Sequence, residues 1–183
     1  VRVVATDTPL ADPAALAVWL RVPAGDPLLL AALTSASNRF RGEVGHEVSL
    51  VENEQVTLDG NGRESVLLPV WPTVGVSEVL LDGEELVEGT DYDWSEAGFL
   101  RRLGCQYWPA RLRCIQVTYS HGWAQTPSDI QEAVIEQARA GYGGQPGLKS
   151  KAVGGQSVTW ETGVTSQWSK AVERHQVQTG SDA

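Results

Sequence analysis

Apolar residues recur at helical spacing near both ends of the chain and alternate at strand spacing through its middle. Leu29, Leu33, Ala36 and Phe40 fall at i, i+4, i+7 and i+11, a single stripe that predicts an amphipathic helix. Asp26-Pro27 opens it with a capping carboxylate and a proline at the first helical position, and Gly42 and Gly45 are expected to end it. Asp12-Pro13 repeats the signal and predicts a shorter helix to about Arg21. A third helix places Ile130, Ala133, Val134 and Ala138 on one face, behind the Thr126-Pro127-Ser128-Asp129 start. Thr165 caps a fourth, with Trp168, Ala171, Val172 and His175 at i, i+3, i+4 and i+7. Leu29, Leu33, Phe40, Ile130, Val134 and Ile135 are the expected core anchors.

Between the second and third helices the period drops to two. Val56-Thr57-Leu58 runs into Asp59-Gly60-Asn61-Gly62 and Ser65 to Pro69 returns, which predicts a hairpin. Val74 to Leu81 predicts a strand whose apolar phase slips between Val76 and Val79, the mark of a bulge near Ser77-Glu78. Tyr92-Asp93-Trp94 and Phe99-Leu100-Arg101 flank a Ser95-Glu96-Ala97-Gly98 turn. Cys114 to Ser120 is the last strand of the block. The expected class is α+β, with a small antiparallel sheet or sandwich between helices. After the third helix, the glycines of 141–147 predict a stop and a connector, hinged at Gly143 and Gly144. Residues 149–155, with hinges at Gly154 and Gly155, are expected to be mobile in a lone subunit. Val158 and Trp160 then alternate with polar residues as one further strand.

The 183 residues carry a net charge of −9, with 42% hydrophobic and 20% charged residues, values of a globular chain. No apolar run approaches the roughly 20 residues of a membrane span, so no membrane partner is expected. Charge is distributed unevenly. From Glu43 to Glu96 fourteen acidic residues face one base, Arg63, a net of −13; the rest holds nine acids and thirteen bases, a net of +4. The overall acidity argues against direct nucleic-acid recognition, which needs a basic footprint to neutralise phosphates.

Reactive chemistry is sparse. Ser120 and His121 are adjacent on a strand, so their side chains point to opposite faces, and no Gly-x-Ser-x-Gly elbow exposes a nucleophile. Neither Glu84-Glu85 nor Asp91/Asp93 meets the facing geometry of a glycosidase pair or the ligand offsets of a calcium loop. The glycine-rich stretches lack the Gly-Lys-Ser/Thr of a phosphate loop. No catalytic residue, cofactor or metal is therefore expected, and His121 is read as a structural residue at the strand-to-helix turn. Cys105 and Cys114 lack zinc-site spacing and are expected as thiols. Seven tryptophans, more than a small sheet can bury, suggest interfaces.

Val117-Thr118-Tyr119-Ser120-His121-Gly122-Trp123 followed by Pro127-Ser128-Asp129-Ile130 resembles the head-to-tail adaptor (connector) proteins of long-tailed bacteriophages. Further pieces of the likeness are Val79-Leu80-Leu81-Asp82-Gly83, Gly89-Thr90-Asp91-Tyr92, Gly98-Phe99-Leu100-Arg101-Arg102, Val153-Gly154 and Ser157-Val158-Thr159-Trp160, with Trp160 where a tyrosine is expected. The resemblance implies a helical core from 1–46 and 122–150, a β-rich insertion from 47–121 and a C-terminal docking arm and tail from 151–183. It implies a non-enzymatic virion protein, assembled in the host cytoplasm, that forms a ring, expected as a dodecamer. That ring would sit below the portal protein, extend the DNA channel and receive the next connector or tail protein. Portal docking would fall to Val158, Trp160, Trp168 and Val172. Other readings are a stopper or tail terminator, a carbohydrate- or protein-binding β module and, third, an enzyme. The helices at both ends favour the adaptor; Trp160 and Trp168, outside the strand block, count against the β module.

Overall fold

The computed structural model describes residues 8–142, 150–153, 156–159 and 165–176. They form an α+β protein whose backbone clusters into two units, 46–125 and 2–45 with 126–176.

The helical unit contains α1 (Pro13–Leu20), α2 (Pro27–Val44), α3 (Ser128–Tyr142) and α4 (Ser166–His175). Asp12 and Asp26 cap α1 and α2 by accepting from the N–H groups of Ala14 and of Leu28 and Leu29. Leu29, Leu33, Ala36 and Phe40 of α2 are buried, as are Ile130, Ala133, Val134 and Ala138 of α3. Ile135 departs from expectation: it is only half-buried and lines a surface cleft. Gly42 does not end α2, which continues to Val44 and stops at Gly45 in the left-handed conformation, its N–H bonded to the Arg41 carbonyl. The α3 helix opens at Ser128, one residue later than expected. The Pro127 carbonyl accepts from the Gln131 N–H, and Thr126 contributes its carbonyl to the Gln131 side chain.

Two polar residues lie inside the apolar stripe of α2. Ser37 donates to the Leu33 carbonyl and accepts from the Leu10 N–H, and buried Arg41 donates to the Thr8 carbonyl and the Asn38 side chain. Residues 8–10 are thereby pinned to α2, and a buried polar group is satisfied, as burial demands. The unit also includes the antiparallel pair β8 (Ser150–Val153) and β9 (Gln156–Thr159). Residues 150–153, for which no strand was expected, form one side of that ladder.

The β unit contains β1 (Val51–Leu58), β2 (Ser65–Leu67), β3 (Thr73–Leu81), β4 (Glu84–Glu85), β5 (Tyr92–Trp94), β6 (Phe99–Arg102) and β7 (Ile115–His121). One antiparallel sheet has the order β1-β7-β3-β4 and the other β2-β6-β5. Val79, Ile115, Val117 and Tyr119 from the first share a core with Val66, Tyr92 and Leu100 from the second. Trp108 fills it, its indole N–H donating to the Leu100 carbonyl. The β3 bulge lies where the phase slip placed it, between Val76 and Glu78. The β1–β2 hairpin does not form: β1 pairs with β7, and β2 pairs with β6. Residues 59–62 instead carry the chain from the first sheet to the second.

A close approach at that turn explains Gly60. Its N–H donates to the Arg111 carbonyl and its own carbonyl accepts from the Arg111 N–H, while a Cβ there would lie 1.9 Å from the Pro109 carbonyl oxygen. The loop between β6 and β7 is therefore fastened to the turn after β1.

Candidate functional site

The expected docking residues are best weighed from α4. Thr165 caps it by accepting from the Trp168 N–H. Its apolar face turns inward: Trp168, Ala171 and His175 are buried and Val172 is half-buried. The indole of Trp168, 0% exposed, meets Phe40 edge to face at a centroid distance of 5.2 Å. Its N–H donates to Glu43 Oε2 at 2.6 Å, and the Arg39 guanidinium lies 5.5 Å from its ring. Arg39 also pairs with Glu43 at 2.9 Å. Trp168 is thus gripped on three sides by one stretch of α2, inside its own unit. An exposed indole with a free N–H is the costlier alternative, and α2 supplies both the packing and the acceptor.

The far end of α4 is tied to α3. Asp129 accepts from Arg174 Nη1 at 2.7 Å and lies 3.0 Å from His175 Nε2. Burial works to raise the Asp129 pKa, but the hydrogen bond and charge of His175, the Arg174 bond and the Ile130 N–H together hold it below its ordinary value. Of the other docking residues, Val158 lies in β9 opposite Lys151. Trp160 and the hinge residues Gly143, Gly144, Gly154 and Gly155 lie outside the described residues.

The strand-to-helix junction holds no catalytic constellation. Buried His121 lies 2.6 Å from Glu54 Oε2 through Nε2 and against the Tyr119 ring, while Ser120 accepts from the Asn53 N–H. Burial first, and the Glu54 charge second, push the Tyr119 phenol far up, so it stays neutral. Gly122 has φ +90° and would place a Cβ 2.4 Å from the Ser49 carbonyl oxygen; the close pass lets Trp123 exchange backbone bonds with Val48 and Leu50. The His-Gly-Trp run is therefore a backbone crossing. Asp91 accepts from the Val87 N–H and Asp93 from the Trp94 N–H, as turn acids do. Cys114 is buried, Cys105 exposed, and both are free thiols. Among the described residues no group of three or more potential ligands could hold a metal ion.

One surface was not anticipated. Helix α1, with the sequence Pro-Ala-Ala-Leu-Ala-Val-Trp-Leu, buries Leu16 and Ala17 but exposes Val18 at 78% and Trp19 at 66%. Leu28, at the start of α2, is 70% exposed. Trp19, Glu132, Ile135, Glu136, Arg139 and Gln167 border a cleft of about 230 Å³. The Arg139 guanidinium lies 5.4 Å from the Trp19 ring centroid. The uninterrupted apolar composition of α1 was the available signal.

No protein-family model matches the chain, and no curated protein does. Solved structures do. A chain in the neck of a native GTA particle, computed with C12 symmetry, is 18% identical with a TM-score of 0.62, over 100% of this chain and 96% of that one. A chain in the neck of an empty GTA particle, computed with C6 symmetry, is 19% identical with a TM-score of 0.62 and the same coverage. A chain of the virion of a native gene transfer agent (GTA) particle is 15% identical with a TM-score of 0.57. At these identities the likeness is one of fold, and it extends over both units.

Proposed function

We propose that this chain is a structural, non-enzymatic subunit of a phage-like head–tail interface. In this reading it forms an oligomeric ring below a portal, extends the DNA channel and joins the next connector or tail component. The observation that carries the reading is the fold likeness over the whole chain to chains from gene transfer agent necks, solved with C12 and C6 symmetry. The adaptor-like run from Val117 to Ile130 supports it independently. A channel lined by the acids between Glu43 and Glu96 would let DNA slide, because phosphates find no fixed counter-charge there. Portal docking belongs, in this proposal, to the 150–160 segment with Val158 and Trp160, together with half-buried Val172 of α4. The 151–183 arm is accordingly divided: Trp168 serves the helical unit, and the segment ahead of α4 serves the partner.

The test is a particle assembled with Val158→Ser and Trp160→Ser together, which leaves α4 intact. The expected product is filled heads that lack both this subunit and tails, from a chain whose circular dichroism is unchanged. Normal tail joining by that variant moves the docking surface elsewhere. A particle map with no density for this chain in the neck overturns the ring reading itself.

A further inference from the structure

We infer that the cleft between α1 and α3 receives the Arg111-Leu112-Arg113 loop of a second copy, linking neighbouring subunits head to tail; the inference rests on the ring reading proposed above. A helix that is apolar all round is stable in water when both its faces are covered. Helix α1 has no polar side chain, and one face is open: Val18 and Trp19 are exposed, and exposed Leu28 adds to the apolar surface of the same unit. From Pro13 to Leu33 the chain carries only two charges, Arg21 and Asp26.

The cleft selects its occupant by charge. Glu132 and Glu136 border it against a single guanidinium, that of Arg139, which is engaged with the Trp19 ring. Glu136 Oε2 is buried without a hydrogen-bond partner among the described residues. An apolar ridge flanked by cations fits such a surface. Of the exposed large hydrophobic residues described, Leu112 alone stands between two cations. It is 77% exposed, between Arg113 and Arg111, the latter ion-paired with Asp82, with exposed Tyr107 in the same loop. Cleft and loop are different surfaces of one chain, so their contact is heterologous and repeats from copy to copy until it closes.

The experiment is sedimentation of the full-length chain over a concentration series, with native mass spectrometry for stoichiometry. Arg113→Glu and Glu132→Arg should each move the self-association midpoint about tenfold to higher concentration. The two changes in one chain should restore it, and Leu112→Asp should abolish association. All three sites are exposed, so thermal unfolding should stay unchanged. A double variant no better than the single ones overturns the proposal, as does a wild-type chain that is monomeric at every concentration. Association indifferent to all these changes would give the cleft to a different partner. Location in a particle neck is read separately from the map, so the ring reading and this contact can fail independently.

Discussion

Helices α1 and α4 begin alike, each with a side-chain cap, and then diverge. Seven of the ten residues of α4 are polar, and of its three apolar side chains Trp168 and Ala171 are buried and Val172 is half-buried. None of the eight residues of α1 is polar, yet Ala14, Ala15, Val18 and Trp19 remain exposed along one face. The helix expected to dock elsewhere packs its tryptophan within its own unit, and the one read only as part of the bundle leaves a face exposed. Hydrophobic content alone does not locate an interface; the exposed remainder after intramolecular packing does.

That contrast breaks most visibly at its two tryptophans. Trp168→Ala should cost about 3–5 kcal/mol, because a fully buried ring leaves a cavity. Trp19→Ala should change stability by no more than about 0.5 kcal/mol, as surface positions do. Thermal unfolding of the two variants decides it, and equal shifts would erase the distinction between the helices.

Acid should act next, through Asp129 where α3 meets α4. The Asp129 carboxyl titrates below its ordinary 3.8 in the folded chain, so its stabilisation is complete above that value and is lost as pH falls through the folded one. Amide exchange in α4 should therefore accelerate as pH is lowered past 3.8, relative to α1, after correction for intrinsic rates. Asp129→Asn should flatten that difference. Retention of the full acid response by the asparagine variant would place its origin outside this cluster.

The caps give the smallest effect. Thr165→Ala and Asp12→Ala should each cost about 1 kcal/mol. Amide exchange should show the first loss in α4 and the second in α1.

Local signals made much of this legible. Caps at Asp12, Asp26 and Thr165, the stripe of α2 and the phase slip of β3 are all written within a few residues of their effect. What escaped was the choice of partner. The Asp59-Gly60-Asn61-Gly62 run signals a hairpin, but nothing in it says that β1 will pair with β7. His121 finds Glu54 across 67 residues, a contact set by sheet order and not by any motif. Both Trp19 and Trp168 sit at helical spacing; only α2, with Phe40, Arg39 and Glu43 on one side, distinguishes them. The apolar run of α1 was readable as helix, but its open face emerged only from the packing of α2 and α3.

The double backbone bond between Gly60 and Arg111 also bears on kinetics. Together with the Asp59 side chain on the Arg113 N–H at 2.7 Å and the Cys114 thiol on the Arg111 carbonyl at 3.3 Å, it fixes the stem beneath Leu112 before any encounter. A prearranged protrusion loses little conformational entropy on capture, and no slow rearrangement has to precede docking. Subunits joined this way would add at a rate governed by diffusion and orientation, and residence time would be tuned by the few side chains at the tip.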